Sequence, residues 1–171
     1  KYLYKLSHPM KTYSKFVLEC SQLKESSLSR IKSKSDKGGM AVLSATRSEK
    51  SAKENKERNK QLDKDIRGRG LPGPTKTKGK WEGGSERSHV VSSGKKGKRK
   101  FKKDIKKLGK KYDQDAVIVQ SKKSATLSAT RKGGLGSDKR KGIGKFKPQG
   151  KSPEGVTQIK GKTFTYEKDD D

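Results

Sequence analysis

Cysteine is nearly absent from this chain: Cys20 is the only one, so no internal disulfide can form, which suits a reducing cytoplasm. Histidine is almost as scarce, with His8 and His89 alone. Two scattered histidines and one thiol do not make the clustered ligand set that a zinc site needs, and no cofactor is expected. A Cys20–His89 nucleophile pair is set aside because Cys20 falls in a helix with another role. Apolar residues make up 25% of the chain, against about 45–50% in ordinary globular domains, so the core must be small. Aromatics at 6% are too few for a platform that stacks single-stranded bases. No apolar run reaches the roughly 18 residues of a membrane helix, and Tyr2-Leu3-Tyr4 is too short for the core of a signal peptide. No membrane partner is therefore expected. Acidic residues are outnumbered 19 to 46, leaving a net charge of +27 that attracts polyanions.

Punctuation along the chain divides it. Gly38-Gly39 precedes Met40–Ala45, which reads as a buried strand. Ser51-Ala-Lys-Glu54 is a capping box that opens a polar helix to about Ile66, with Leu62 and Ile66 as its one apolar contact. Gly68, Gly70, Pro72, Gly73 and Pro74 end it. Residues 76–84 read as a basic, glycine-rich loop holding Trp81, and residues 68–80 and 132–154 as poorly ordered. Gly73-Pro-Thr-Lys-Thr-Lys-Gly79-Lys80-Trp81 fails as a phosphate loop, since the spacing is wrong and Trp81 stands where a hydroxyl is needed. Strands are expected at 88–92, 116–119, 124–130 and 162–166. Leu43-Ser-Ala-Thr-Arg47 recurs as Leu127-Ser-Ala-Thr-Arg131, two segments that could lie side by side in one sheet.

Between Lys95 and Lys111 stand eleven basic residues in seventeen: Lys95, Lys96, Lys98, Arg99, Lys100, Lys102, Lys103, Lys106, Lys107, Lys110 and Lys111. Phe101, Ile105, Leu108 and Tyr112 recur at helical spacing through them, so the segment is a helix with one apolar stripe and a basic remainder. Such a face fits the phosphate backbone of double-stranded DNA, contacted without regard to sequence. A nuclear-localisation pattern and a merely solvated face are the other readings.

Met10, Tyr13, Phe16, Val17 and Cys20 fall on one face of a helix over residues 10–20, a form suited to docking in a partner's groove. This stretch, Met-Lys-Thr-Tyr followed by an aromatic–aliphatic pair and Glu, resembles the capsid-targeting peptides of internal head proteins of large contractile-tailed phages. The resemblance implies cleavage by the prohead maturation protease after Glu19, in Val17-Leu18-Glu19 before Cys20, or after Glu25, in Leu23-Lys24-Glu25 before Ser26. It also implies docking on the prohead scaffold or core; the nine residues before Met10 depart from that family and read as a translated leader or a start-site artefact, with Met10 the true start. A second resemblance runs from about 40 to 130, through Leu-Ser-Ala-Thr-Arg47, Glu54-Asn55, Arg58-Asn59, Gly79-x-Trp81-Glu82, Glu86-x-Ser88 and Leu108-Gly109 to Val117. It is similar to an uncharacterised domain family of phages and proteobacteria. Its polar residues Arg47, Asn55, Asn59, Trp81, Glu86 and Gln114 could converge in one cleft. Equally, Arg47 could pair with Glu86, the two asparagines could line a helix, and Gln114 could cap a turn.

These readings predict an α+β fold: a small, mainly antiparallel sheet with two or three helices, plus long basic disordered loops. Residues 1–25 would be a leader and cleaved targeting helix, 38–131 the α+β domain, and 132–171 a basic loop and terminal strand. Functionally they predict a non-enzymatic head protein packaged with DNA in the virion interior, after synthesis in the host cytoplasm. An ejected effector enzyme or host-defence inhibitor comes second, and a nucleoid or ribosome-associated basic protein third.

Overall fold

The computed structural model describes residues 29–34, 36–37, 39–81, 84–148, 156–159 and 162–167. The targeting helix and both cleavage triplets lie outside the described residues. A short helix, α1 (residues 29–34), precedes β1 (Met40–Ser44). Then come α2 (Ala52–Gly68), β2 (Thr75–Trp81), β3 (Gly84–Ser92), α3 (Lys98–Lys111), β4 (Ala116–Gln120) and β5 (Ala125–Ala129). The chain continues through β6 (Gly134–Ser137), β7 (Arg140–Pro148), β8 (Val156–Ile159) and β9 (Lys162–Glu167). Eight strands close a barrel in the order β1-β3-β2-β8-β9-β7-β5-β4, with β4 returning to β1 and every pairing antiparallel.

The closed barrel corrects the expected α+β sheet with disordered loops. Thr75–Trp81 is a strand and not a loop, and so are Gly134–Ser137 and Arg140–Pro148. For Thr75–Trp81 and Arg140–Pro148, which belong to the barrel, the physical reason is closure. A barrel has no free edge, so each strand is held by ladders on both sides and needs few apolar side chains of its own. In β2, Thr77 and Gly79 are buried, while Lys76 and Lys78 between them are exposed.

Alternation in β1 divides the core in two. Met40 and Val42 face the barrel interior with Val90, Phe164, Ile118, Phe146 and Tyr166, and Ile31 of α1 packs among them. The rings of Phe146 and Phe164 lie 4.9 Å apart. Ala41, Leu43 and Ala45 face outward with Val91 and Val117, and there the two long helices cover them through Leu62, Ile66, Phe101, Ile105, Leu108 and Tyr112. Thus the repeated pentapeptides are not structurally equivalent. β4 separates β1 from β5, and Leu43 packs under the helices while Leu127 pairs with Ile118 on the inner side.

The expected capping box opens α2: Ser51 Oγ accepts from the Glu54 amide at 3.2 Å, and Glu54 Oε2 accepts from the Ser51 amide at 3.0 Å. By contrast α3 starts at Gly97 with no side-chain cap, and Lys98, Arg99 and Lys100 stand at the positive end of its dipole. Burial of its stripe must hold it. Gly109 lets it sit close, since a Cβ there would lie 2.6 Å from Thr130 Cγ2 and 2.7 Å from Val117 Cγ1.

His89 faces α2 from the outer side of β3 and is fully buried, with no hydrogen-bond partner on either ring nitrogen. Asp63 Oδ1 is 3.7 Å from its Nε2, and Lys76 pairs with Asp63 at 3.0 Å. Burial pushes the imidazole down to about 4, over the opposing pull of Asp63 and with help from the Lys76 and Arg87 charges. An unfolded histidine takes its proton near pH 6.5. Stability from this group is therefore complete above pH 6.5 and is lost as the pH falls toward 4, by roughly 3 kcal/mol in all. His89→Leu should remove that loss. Thermal midpoints of parent and variant should diverge between pH 6.5 and 4, with the parent falling faster; parallel curves would refute the assignment.

Candidate functional site

Polar groups gather where β1 ends. The Ser44 amide donates to Gln114 Oε1 at 2.8 Å, and Ser44 Oγ donates to the Arg87 carbonyl at 2.7 Å while accepting from the Thr46 amide at 3.0 Å. Asn55 accepts from the Arg47 amide at 2.9 Å and donates to the carbonyls of Arg47 (2.9 Å) and Lys50 (3.0 Å), tying the loop after β1 to the start of α2. Arg58 reaches the carbonyls of Ala45 and Tyr112, each at 2.8 Å. Asn59 donates to the Asn55 carbonyl at 2.7 Å and to Thr46 Oγ1 at 3.0 Å.

The structure thus brings five of the six cleft candidates to one end of the barrel. Arg47, Asn55 and Gln114 spend their capacity on the loop between β1 and α2. Arg47 pairs with Glu49 at 3.0 Å and donates to the Asp113 carbonyl at 2.7 Å, and so does not pair with Glu86. Trp81 ends β2 opposite Gly84, and its side chain lies outside the described residues.

Glu86 is the group with chemistry to spare. It sits half-buried on the inner face of β3, the face that carries Ser88 and Val90, opposite Gly79 of β2. Burial pushes its carboxyl up, against the Ser44 and Ser88 hydroxyls and the Arg47 charge, which favour the ionised form. Thr46, Ala52, Asn55, Lys56, Asn59 and Arg87 line a groove of about 310 Å³ by the start of α2, and Glu86 does not line it. Of these, Thr46, Ala52, Lys56 and Arg87 are not among the expected cleft residues, nor is Ser44. Their signal was weak: Arg87 stands next to Glu86 in an alternating strand, and Lys56 is one lysine among many.

The basic segment forms α3, and its stripe of Phe101, Ile105 and Leu108 is buried as expected, with Tyr112 just beyond. Not all of its cations are free. Lys96 pairs with Asp104 at 2.7 Å and bonds to the Arg69 carbonyl, and Lys111 pairs with Asp65 at 2.5 Å. The Lys102 ammonium is held down by burial, then by Arg140 of β7 and Lys106. Lys95, Lys98, Arg99, Lys100, Lys103, Lys106, Lys107 and Lys110 make no ion pair among the described residues. No metal-binding group of His, Cys, Asp and Glu forms among the described residues, and no helix there is long and apolar enough to cross a membrane.

The sequence model of the S-Adenosylmethionine lyase family matches residues 41–170. No curated protein matched the chain. The family match overturns two expectations, that of a non-enzymatic protein and that of an internal head protein packaged with DNA. The misreading has a physical source: net charge dominated the composition, whereas the site is built from single residues that composition does not weigh. The matched stretch, 130 of 171 residues, runs through the whole barrel from β1 to β9, and the chain belongs to the S-adenosylmethionine lyase family.

Proposed function

We propose that this protein cleaves a carbon–sulfur bond of S-adenosylmethionine at the end of the barrel where Ser44, Glu86, Ser88 and the start of α2 meet. The observation that carries this reading is the family match across every strand of the barrel. The chemistry is consistent with the site. A lyase uses neither water nor an oxidant, and a sulfonium is its own leaving group. The carbon–sulfur bond breaks with its electron pair passing to sulfur, which leaves as a neutral thioether. The carbon fragment completes its valence by capture by its own carboxylate or by loss of a neighbouring proton. Both routes spread or cancel charge, and a desolvated barrel end favours that over bulk water. Glu86 supplies the negative group that a cationic substrate needs against a strongly basic surface.

Incubating the purified full chain with S-adenosylmethionine and following products by liquid chromatography and mass spectrometry tests this. The expected result is release of 5′-methylthioadenosine well above the spontaneous rate, with no oxygen from labelled water in the initial carbon product. A folded chain, verified by circular dichroism, that leaves the substrate at its background rate of decay would overturn it.

A further inference from the structure

One face of α3 is left without counter-charges. The helix carries nine cations and one carboxylate, whereas α2 sets six cations among four carboxylates. The single carboxylate of α3, Asp104, is spent on Lys96 and Arg69, and Lys111 pairs with Asp65, all on the flank toward α2. Directly opposite the buried stripe of Phe101, Ile105 and Leu108, helical spacing aligns Arg99, Lys103, Lys106, Lys107 and Lys110. Four of them are exposed and Lys106 is partly so, and none makes an ion pair among the described residues. On the other flank Lys102 meets Lys106 and Arg140 of β7, cation against cation. Like charges four apart on a helix repel, and Arg99–Lys103, Lys103–Lys107 and Lys106–Lys110 repeat that spacing. The fold gains nothing from this ridge; a polyanion laid along it would.

Shape selects among polyanions. The ridge is convex and runs about 16 Å from Arg99 to Lys110 at a helical rise of about 1.5 Å per residue, so it offers a small anion no walls. A polymer with regularly spaced charges meets all five cations at once, and each contact releases a counterion. A helix about 10–12 Å across fits the roughly 12 Å major groove of B-form DNA, whereas the major groove of A-form RNA is too narrow to admit it. We infer that α3 binds double-stranded DNA along the major groove, with Arg99, Lys103, Lys106, Lys107 and Lys110 neutralising phosphates and Arg140 extending the contact, without regard to base sequence. This surface lies on the outer wall of the barrel, away from the inward-facing Glu86, and stands whether or not the chain is a lyase. It belongs to the same domain as the proposed lyase site and calls for no capsid.

The test is fluorescence anisotropy of the full chain with a labelled DNA duplex of about 20 base pairs, over roughly 50–200 mM salt. Affinity should fall on a log–log salt plot with a slope of about −5, near 0.9 for each phosphate met. Arg99→Gln, Lys103→Gln, Lys106→Gln and Lys110→Gln combined should flatten the slope by about three to four and weaken binding at least about a hundredfold at the lowest salt. Lys53→Gln, Lys56→Gln, Lys60→Gln and Lys64→Gln combined removes the same net charge from exposed positions of α2 and should move the slope by less than about one. Circular dichroism melts check that both variants are folded. Arg140→Gln alone, on β7, should lower the slope by about one, so the result does not hang on the folding of a redesigned helix. An RNA duplex of the same sequence should bind at least about tenfold more weakly than the DNA. A parent chain that does not bind the duplex at the lowest salt, or binds it with no dependence on salt, overturns the inference. Equal losses in the α2 and α3 variants overturn it as well, because the affinity then belongs to net charge and not to this ridge. RNA bound as tightly as DNA overturns the placement in the major groove.

Discussion

Ile105→Asp should leave the chain without a cooperative thermal transition. Ile105 is fully buried on α3, amid Ala41, Leu43, Leu62, Phe101 and Val117, where the two long helices meet the outer wall of the barrel. The substitution loses the burial of a whole aliphatic side chain, worth about 1.5–3 kcal/mol. It also places a carboxylate in a site with no partner, which costs several kcal/mol more or forces the group to take a proton. A domain with this little apolar surface has at most an ordinary margin of about 5–15 kcal/mol, and α3 begins with its dipole opposed by three cations. Lys103→Gln and Lys107→Gln, on the exposed side of the same helix, are the controls. They should leave the midpoint within about a degree or two or raise it slightly, because each removes a repulsive charge. Circular dichroism melts of the three variants decide the matter. A cooperative melt of Ile105→Asp near the parent midpoint would show that this core does not hold the fold.

Where a segment carried its own punctuation, the fold was legible in the sequence. Ser51 and Glu54 announced the start of α2 to the residue, because a capping box is a local hydrogen-bond pair that depends on nothing distant. The stripe of Phe101, Ile105 and Leu108 likewise announced α3, and Met40–Ser44 announced β1. What escaped was the half of the barrel written in Lys, Gly and Thr. Arg140–Pro148 reads as a flexible basic tract, yet it pairs with β5 on one side and β9 on the other. Its order comes from backbone ladders and from Phe146, which stacks on a ring eighteen positions away. No local pattern reports such a partner.

The site shows the same division. The frame of Arg47, Asn55, Asn59, Glu86 and Gln114 was readable as a set of polar residues that could meet. Which of them would be spent on structure was not. Arg47, Asn55 and Gln114 hold the loop after β1, and Asn59 keeps a buried oxygen without a hydrogen-bond partner. Arg87 follows Glu86 in an alternating strand and so points to the opposite face of β3. A net +27 describes the surface, whereas the proposed site is a handful of positions at one end of the barrel.

Glu86→Gln should act mainly on KM, and the sign follows from the charges. The substrate's sulfonium is positive before the bond breaks and neutral afterwards. A carboxylate beside it therefore stabilises the bound ground state at least as much as the transition state, and its removal weakens binding without slowing the chemical step to match. We expect KM to rise about ten- to a hundredfold, the range for one partly desolvated charge contact, with kcat within a few-fold of the parent. Burial holds the Glu86 carboxyl above the usual range in the free protein, so an acid limb should appear in kcat/KM above the ordinary glutamate pKa. Activity is lost as the pH falls through that limb, because the protonated acid no longer offsets a cation. The limb should vanish in Glu86→Gln, which cannot titrate, and this separates a charge effect from a packing effect. Should Glu86→Gln instead abolish kcat while leaving KM alone, Glu86 would be moving a proton, and elimination rather than carboxylate capture would be the route.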